Sequence, residues 1–555
     1  MTGVDGAAPA GASPVGFAPA GPGPLRAAAA EIVDEVATTR WGRISPSVYE
    51  TGRLVSIAPW LVDHAARVAF LRATQRPDGG WGQPGGYALV PTLSATEALL
   101  ATARHGDPSA AEPAGQGLDR LIGWLTGPAP LRVADVPDTP AIELIVPAMV
   151  DLVNAHLDAL TDRPVPGLDR FAGVRLATPP GMDDRPLRAI RAALGAGAPV
   201  PDKLLHSLEV VGPLAGEQQV HPPPLGGIGA SPAASAAWLA GHPSGPTSAT
   251  LRYLEAVTGR HGGPVSSVVP IAPFERAWVL SLLIGAGFRL DRPDRLTTAL
   301  AAPLGPGGLA GGEGLPLDAD TTSVTLLTLA QLGAAPPVDS LWPFEVDTHF
   351  STWLGERTPS TTTNAHVLEL FGHHAAGPAT PARVAGRDRL VVAKLTAWLC
   401  AQQLPDGSWT DKWHASPYYA TFCCVTALHR YGRPAGGGDG GGPAAAIHRA
   451  VRWIVATQGA DGSWGRWQGT AEETAYAVQT LLLTALDEPG VHTAAAGGLA
   501  YLTETFGQQP DPPLWHDKDL YVPPRIVRAA VLAAFRLAGS DNAMRHGMSS
   551  PAVTD

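Results

Sequence analysis

Gln403-Leu-Pro-Asp-Gly-Ser-Trp409 and Gln458-Gly-Ala-Asp-Gly-Ser-Trp464 share one pattern, Gln-x-x-Asp-Gly-x-Trp, and Gln75-Arg-Pro-Asp-Gly-Gly-Trp81 repeats it far upstream. Each copy stands between two apolar segments of helical period, such as 391–402, 418–431, 445–457 and 472–486. Asp-Gly makes a tight turn, glycine tolerates positive φ, the Gln amide can bond free groups at a helix end, and the indole can pack over the joint. A unit of this kind buries its apolar face only against further units, so the repeat predicts stacked helix pairs. Strand-like alternation is scarce, and the expected class is all-α. The pattern by itself fits a closed double ring of helices or an open helical solenoid serving as a scaffold.

Composition agrees with a large folded chain. Of 555 residues, 45% are hydrophobic and 16% charged, enough for more than one domain. A net charge of -11 leaves no basic excess for phosphate neutralisation, which argues against a general nucleic-acid binder. The three cysteines have neither disulfide nor metal-ligand spacing and read as buried hydrophobes in a reducing compartment. No signal peptide and no membrane-spanning run is expected, which gives a cytoplasmic protein. Tryptophan, at 15, outnumbers phenylalanine (11) and tyrosine (9), an inversion that calls for a use of indole faces.

The chemistry is concentrated at Leu317-Asp-Ala-Asp-Thr-Thr322, at the mouth of an apolar helix. An Asp in this setting is a good N-cap, and that reading stands on its own. Two carboxyls two residues apart also cannot both ionise cheaply, so one retains a proton, more so in a dry pocket. Such a carboxylic acid can act as a general acid, even towards a base as weak as an alkene.

Repeat and motif together resemble the class II terpene cyclases, the family of squalene–hopene and copalyl diphosphate synthases, over residues 25–545. The resemblance makes Asp320 the proton donor and Asp318 its activating neighbour, with Thr321 where the family carries another Asp. It implies two α/α-barrel domains: a γ domain over 56–289, and a β domain made of 25–55 plus 290–547, flanked by disordered tails at 1–24 and 548–555. Leu204-Leu-His-Ser-Leu-Glu209 is similar to a plant copalyl diphosphate synthase segment, which would give His206 the role of ending the cation cascade by way of a water. The plant partner Asn aligns with Ser267, leaving that pair incomplete. Asp411-Lys-Trp-His and Leu514-Trp-His-Asp-Lys-Asp-Leu-Tyr521 look like bacterial diterpene cyclase segments. They place Lys412 and Lys518, and with less force Arg528, as diphosphate-binding cations. Trp398, Trp413, Tyr418 and Tyr419 are the expected carbocation stabilisers. The family commonly uses Mg²⁺, for which Asp135, Asp138 and Glu143 are the expected acids, with a loop of solvated carboxylates as the alternative. The implied reaction is cyclisation of geranylgeranyl diphosphate to a bicyclic copalyl- or halimadienyl-type diphosphate. No class I Asp-rich cluster is found, so the diphosphate should remain, to be consumed by a downstream class I terpene synthase. Farnesyl diphosphate, squalene and a non-catalytic scaffold remain the rival readings.

Overall fold

In the computed structural model the described residues are 22–242, 248–334, 336–377, 381–432, 442–508 and 511–548. The tails expected at 1–24 and 548–555 lie almost wholly outside them. The described residues are mostly helical, with one two-stranded hairpin among them, Trp515–His516 against Leu520–Tyr521.

Six helices close a ring. Ala319–Gln331 packs on Thr361–Ala376, which packs on Pro417–Tyr431, then Ala471–Thr484, Pro524–Met548 and Ala272–Gly285, which returns to Ala319–Gln331. Pro22–Thr38, Ala382–Gln402, Pro443–Ala456 and Val491–Thr505 lie outside it. A second, smaller ring runs through Val48–Ile57, Leu89–Arg104, Ile142–Asp162, the 3-10 segment Leu208–Glu217 and Pro232–Leu239, and back to Val48–Ile57. Each ring has its own apolar core. Both are α/α barrels.

The chain crosses between the cores near residues 45 and 270, because Ile44 and Ile271 pack in the larger core while Tyr49 and Val269 pack in the smaller. Those crossings correct the boundaries expected at 55 and 289. Helix Val48–Ile57 belongs to the γ barrel and Ala272–Gly285 to the β barrel, since each is needed to close its ring. Among the described residues one helix, Ile142–Asp162, is long and apolar enough to cross a membrane, which the sequence reading did not anticipate. It is an inner-ring helix with most of that window buried.

The repeat stitches the rings. Trp81, Trp409 and Trp464 donate their indole N–H to Leu71, Leu399 and Ile454 carbonyls (2.6, 2.8 and 2.7 Å), each in the last turn of the preceding outer helix. Carbonyls in a last turn lack the usual N–H four residues on, and the indole supplies a donor to them. Gln75, Gln403 and Gln458 each bridge the glycine carbonyl of their own turn to a first-turn carbonyl of the next outer helix, Pro113, Ala446 or Ala494. Each Trp backbone N–H also donates to a threonine at the start of the following inner helix, Thr92, Thr421 or Thr474 (2.9–3.0 Å). The same clamp recurs without the Trp: Leu309 N–H donates to Thr322 Oγ1 at 2.9 Å, and Phe350 N–H to Asn364 Oδ1 at 2.8 Å. Leu309 and Phe350 mark cryptic copies of the repeat. The first of them sets the register of the helix that carries the two aspartates.

Candidate active site

Asp318 begins that helix. Its Oδ1 accepts the backbone N–H of Thr321 at 2.5 Å in an extended N-cap conformation, so the capping reading holds. Burial pushes its carboxyl up to about 7; the Thr321 N–H opposes this and the charge of Asp320 adds to it. A cap and a proton-retaining acid are therefore the same residue. Asp320, in the first turn, faces a cavity of about 770 Å³ between the two barrels, with Asp318 and Thr321 beside it in the wall. Its Oδ1 lies 2.6 Å from Nδ1 of His366, on the neighbouring ring helix. Burial would lower the imidazole's pKa, but the Asp320 charge and this hydrogen bond hold it above the usual value. An Nδ1–H donor on one oxygen stabilises the carboxylate that remains once Asp320 has given up a proton. No motif marks His366: a lone histidine inside a helix has no local signal.

Aromatic faces make much of the wall: Phe274, Trp278, Trp353, Trp413, Tyr419, Trp515 and Tyr521. The Trp278 indole donates to Tyr419 Oη at 2.8 Å, which fixes both rings. Trp515 and Tyr521 stand opposite one another on the hairpin. Of the aromatics expected from sequence, Trp413 and Tyr419 reach the cavity and two do not. Trp398 stacks on His349 outside the ring, and Tyr418 stacks on Trp453. One helical position separates Tyr418 from Tyr419, about 100° of rotation, and only one of them can face inward.

Cations gather at one part of the rim. Lys412 Nζ lies 3.0 Å from Glu356 Oε1 and 3.9 Å from Asp138 Oδ2, and it donates to the Thr358 carbonyl at 3.1 Å. Lys203 and Arg357 line the same cavity; Lys203 donates to the Leu354 carbonyl, and Arg357 pairs with Glu143 at 2.6 Å. Burial and the nearby Lys412 charge hold the Lys203 ammonium below its usual range, with Glu356 opposing them.

Lys518 is not among these cations. It is fully buried outside the cavity wall, with Nζ at 2.5 Å from Glu50 Oε1, 2.9 Å from Glu209 Oε1 and 2.8 Å from Ser231 Oγ. All three of its protons are used, which removes it as a diphosphate ligand. It ties the hairpin of the β barrel into the γ barrel, helped by Asp519, which accepts from Ser47 Oγ and Tyr49 N–H. Arg528 likewise pairs with Glu31 away from the cavity.

His206 does line the cavity, with Nδ1 at 2.6 Å from the Gly229 carbonyl and Nε2 at 2.8 Å from Asp517 Oδ1. Ser267 is fully buried, its hydroxyl has no hydrogen-bond partner, and it is not part of the cavity wall.

The expected Mg²⁺ ligands do not assemble. Asp135 Oδ2 accepts the Arg132 N–H at 2.9 Å, Glu143 is paired with Arg357, and only Asp138 and Glu143 reach the rim. Among the described residues no three His, Cys, Asp or Glu side chains form a metal-holding group, and Mg²⁺ that arrives with a diphosphate needs only one or two carboxylates besides the phosphate oxygens.

Comparison with known proteins covers the same ground. The family described as "Squalene-hopene cyclase C-terminal domain" matches residues 356–521. The chain is 43% identical over 529 residues to the ent-copalyl diphosphate synthase of Streptomyces sp. (strain KO-3988), covering 94% of this chain and 98% of that one. It is 40% identical over 534 residues to the labda-7,13-dienyl diphosphate synthase of Streptomyces clavuligerus, with 92% of each covered. Among solved structures, the ent-copalyl diphosphate synthase from Streptomyces platensis superposes with a TM-score of 0.85 at 43% identity, covering 93% of this chain and 100% of that one. The Arabidopsis thaliana ent-copalyl diphosphate synthase shares the fold, with a TM-score of 0.50 at 16% identity over 95% of this chain and 80% of its own.

Proposed function

The chain belongs to the class II diterpene cyclases, and on that premise we propose that it cyclises geranylgeranyl diphosphate to a bicyclic, copalyl- or halimadienyl-type diterpenyl diphosphate that keeps its diphosphate. The observation that carries this reading is the pairing within one cavity of a hydrogen-bonded aspartic acid, Asp320 with His366, and a rim of cations, Lys203, Arg357 and Lys412.

The substrate's charge and its reacting alkene lie at opposite ends of one chain. The rim cations bind the diphosphate by charge-assisted contacts, strengthened where water is displaced. That places the terminal alkene against Asp320. Protonation breaks the Asp320 O–H bond and uses the alkene's π pair to form a C–H bond. The new cation is attacked by the next alkene, and ring closure follows ring closure. Phe274, Trp278, Tyr419 and Trp515 offer π faces that stabilise the moving charge by about 0.5–2 kcal/mol each without bonding to it. No step touches the C–O bond of the diphosphate. The product therefore suits a downstream class I terpene synthase, which ionises such esters. Since the rim acids form no cage, a divalent cation enters this reading only as a companion of the diphosphate, tested by titrating EDTA against the substrate's KM.

The test is incubation with C15, C20 and C30 prenyl substrates, phosphatase treatment, and mass spectrometry of the alcohols. A bicyclic C20 alcohol from the wild-type protein, and none from Asp320→Ala, is the expected result. Turnover of the C15 diphosphate alone moves the assignment to a drimenyl-type product, and no turnover at all leaves a scaffold.

A further inference from the structure

His206 has no free lone pair. One ring nitrogen meets the Gly229 carbonyl at 2.6 Å and the other meets an oxygen of Asp517 at 2.8 Å. A backbone carbonyl only accepts, so Nδ1 carries a proton. A contact of 2.8 Å between Nε2 and a carboxyl oxygen must contain a second proton, whichever partner owns it. Rotating the ring by a half-turn changes nothing, because a C–H would then face an oxygen at hydrogen-bond distance. The pair thus holds two protons in total, and every acceptor position on the imidazole is occupied. Free acceptor capacity remains only on the carboxylate. Asp517 lines the cavity; its Oδ2 is enclosed without a hydrogen-bond partner, and its Oδ1 keeps a second lone pair beyond the bond to His206.

We propose that Asp517, not His206, receives the proton that ends the cyclisation, with His206 as the residue that positions it. The inference rests on the cyclase reading above. In the step, a C–H bond next to the final cation breaks, its electron pair becomes the product's C=C bond, and the proton goes to the Asp517 carboxylate. Cation and carboxylate are replaced by alkene and carboxylic acid, and the charges balance. The proton returns to bulk water when the product leaves.

Three features suit Asp517 to this task. It occupies the turn of the hairpin whose strands place Trp515 and Tyr521 in the same wall, so the acceptor sits beside the aromatic faces that hold the cation. Its neighbour Lys518 is locked into the γ barrel by Glu50, Glu209 and Ser231, which fixes the turn. Burial would raise its carboxyl, yet the charge of His206, the hydrogen bond from it and the charge of Lys518 hold it below the usual range, so it is ionised when the cation arrives. A base this weak still suffices, because a carbocation's neighbouring C–H is far more acidic than any carboxylic acid.

The experiment compares Asp517→Asn, Asp517→Glu and His206→Gln with wild type on geranylgeranyl diphosphate, after circular dichroism has shown each to be folded. Asp517→Asn is expected to consume substrate within about tenfold of the wild-type rate, because Asp320 is untouched. Most of its product should be a hydroxylated diphosphate, 18 mass units heavier, or a different alkene isomer. Asp517→Glu keeps a carboxylate but moves it by one methylene, so the ratio of alkene isomers should change without hydroxylation. His206→Gln should keep the wild-type alkene as its main product at reduced kcat. Unchanged product ratios in both Asp517 variants, or loss of the alkene in His206→Gln alone, overturn the assignment. Should Asp517→Asn fail to fold, Asp517→Glu decides. Absence of any bicyclic product from wild type overturns the cyclase reading instead, and with it this one.

Discussion

Replacing Lys518 with Met tests whether this lysine holds the two barrels together or holds substrate. The Lys518 ammonium is wholly buried, with three polar contacts at 2.5, 2.9 and 2.8 Å. Burial alone would lower its pKa, but the carboxylates of Glu209 and Glu50 raise it above the ordinary value. Removing one partner of such a cluster leaves buried carboxylates without a counter-charge, at a cost of about 3–5 kcal/mol. Unfolding entropy near 2.1 cal/mol/K per residue, over 555 residues, makes about 4 kcal/mol a fall of roughly 3 °C in Tm if the barrels melt together, and about twice that if each melts alone. The effect depends on pH. Burial pushes Glu50's carboxyl up even with Lys518 against it, and without Lys518 it rises further. A folded-state pKa raised in this way contributes stability that is present at low pH and lost as pH rises through it. The deficit should therefore be larger at pH 9 than at pH 6, measured by scanning calorimetry or thermal fluorescence. A second change, Glu50→Gln, should recover part of the loss, a coupling that a double-mutant cycle reads directly. KM for the prenyl diphosphate should stay within about twofold at temperatures where the variant is folded. An unchanged Tm together with a KM raised tenfold or more would refute the reasoning and return Lys518 to the diphosphate.

His366→Gln should lower kcat by about 10²-fold or more with little change in KM, since its partner Asp320 acts only in the protonation step; equal loss in KM would make it a binding residue. Lys412→Ala should raise KM by roughly tenfold to a hundredfold, the worth of one charge-assisted contact of about 1.5–3 kcal/mol, with the same product spectrum by mass spectrometry. Turnover should fall as pH rises through about 7, where Asp318 ionises and its negative charge opposes formation of a second carboxylate beside it during protonation of the alkene. Asp318→Asn should remove that limb of the pH–rate profile. Asp318, Glu473 and Asp511, raised to about 7, and Glu472, raised to about 8, keep protons that the unfolded chain has already released. The wild-type Tm should accordingly be higher at pH 6 than at pH 9.

The stacked helix pairs were legible because their cause is local, whereas their division into two barrels came from the resemblance. Asp-Gly turns, a Gln three residues before the Asp and a Trp three residues after it recur in a linear pattern, and each stitches the chain segments immediately around it. The cryptic copies at Leu309 and Phe350 escaped notice because only their backbone clamps survive, and these leave no residue signature. Asp318 and Asp320 were readable for the same local reason, as two acids within one helical turn. The lysines were a different matter. Lys412 and Lys518 both stand beside aromatics in nearly uncharged stretches, yet one reaches the rim and the other is enclosed by three γ-barrel side chains. Nothing within ten residues of either distinguishes them.

The sequence alone determined a helical chain of repeated pairs with an aspartic acid at one helix mouth, because period, turn chemistry and capping act over a few residues. Tertiary structure decided what that acid works with. His366 meets Asp320 across 46 residues, Asp517 meets His206 across 311, and Glu50 meets Lys518 across 468. The first joins neighbouring helices of one ring, the other two depend on how the two closed rings are docked, and burial there sets which carboxyls keep protons and which cations remain available to substrate.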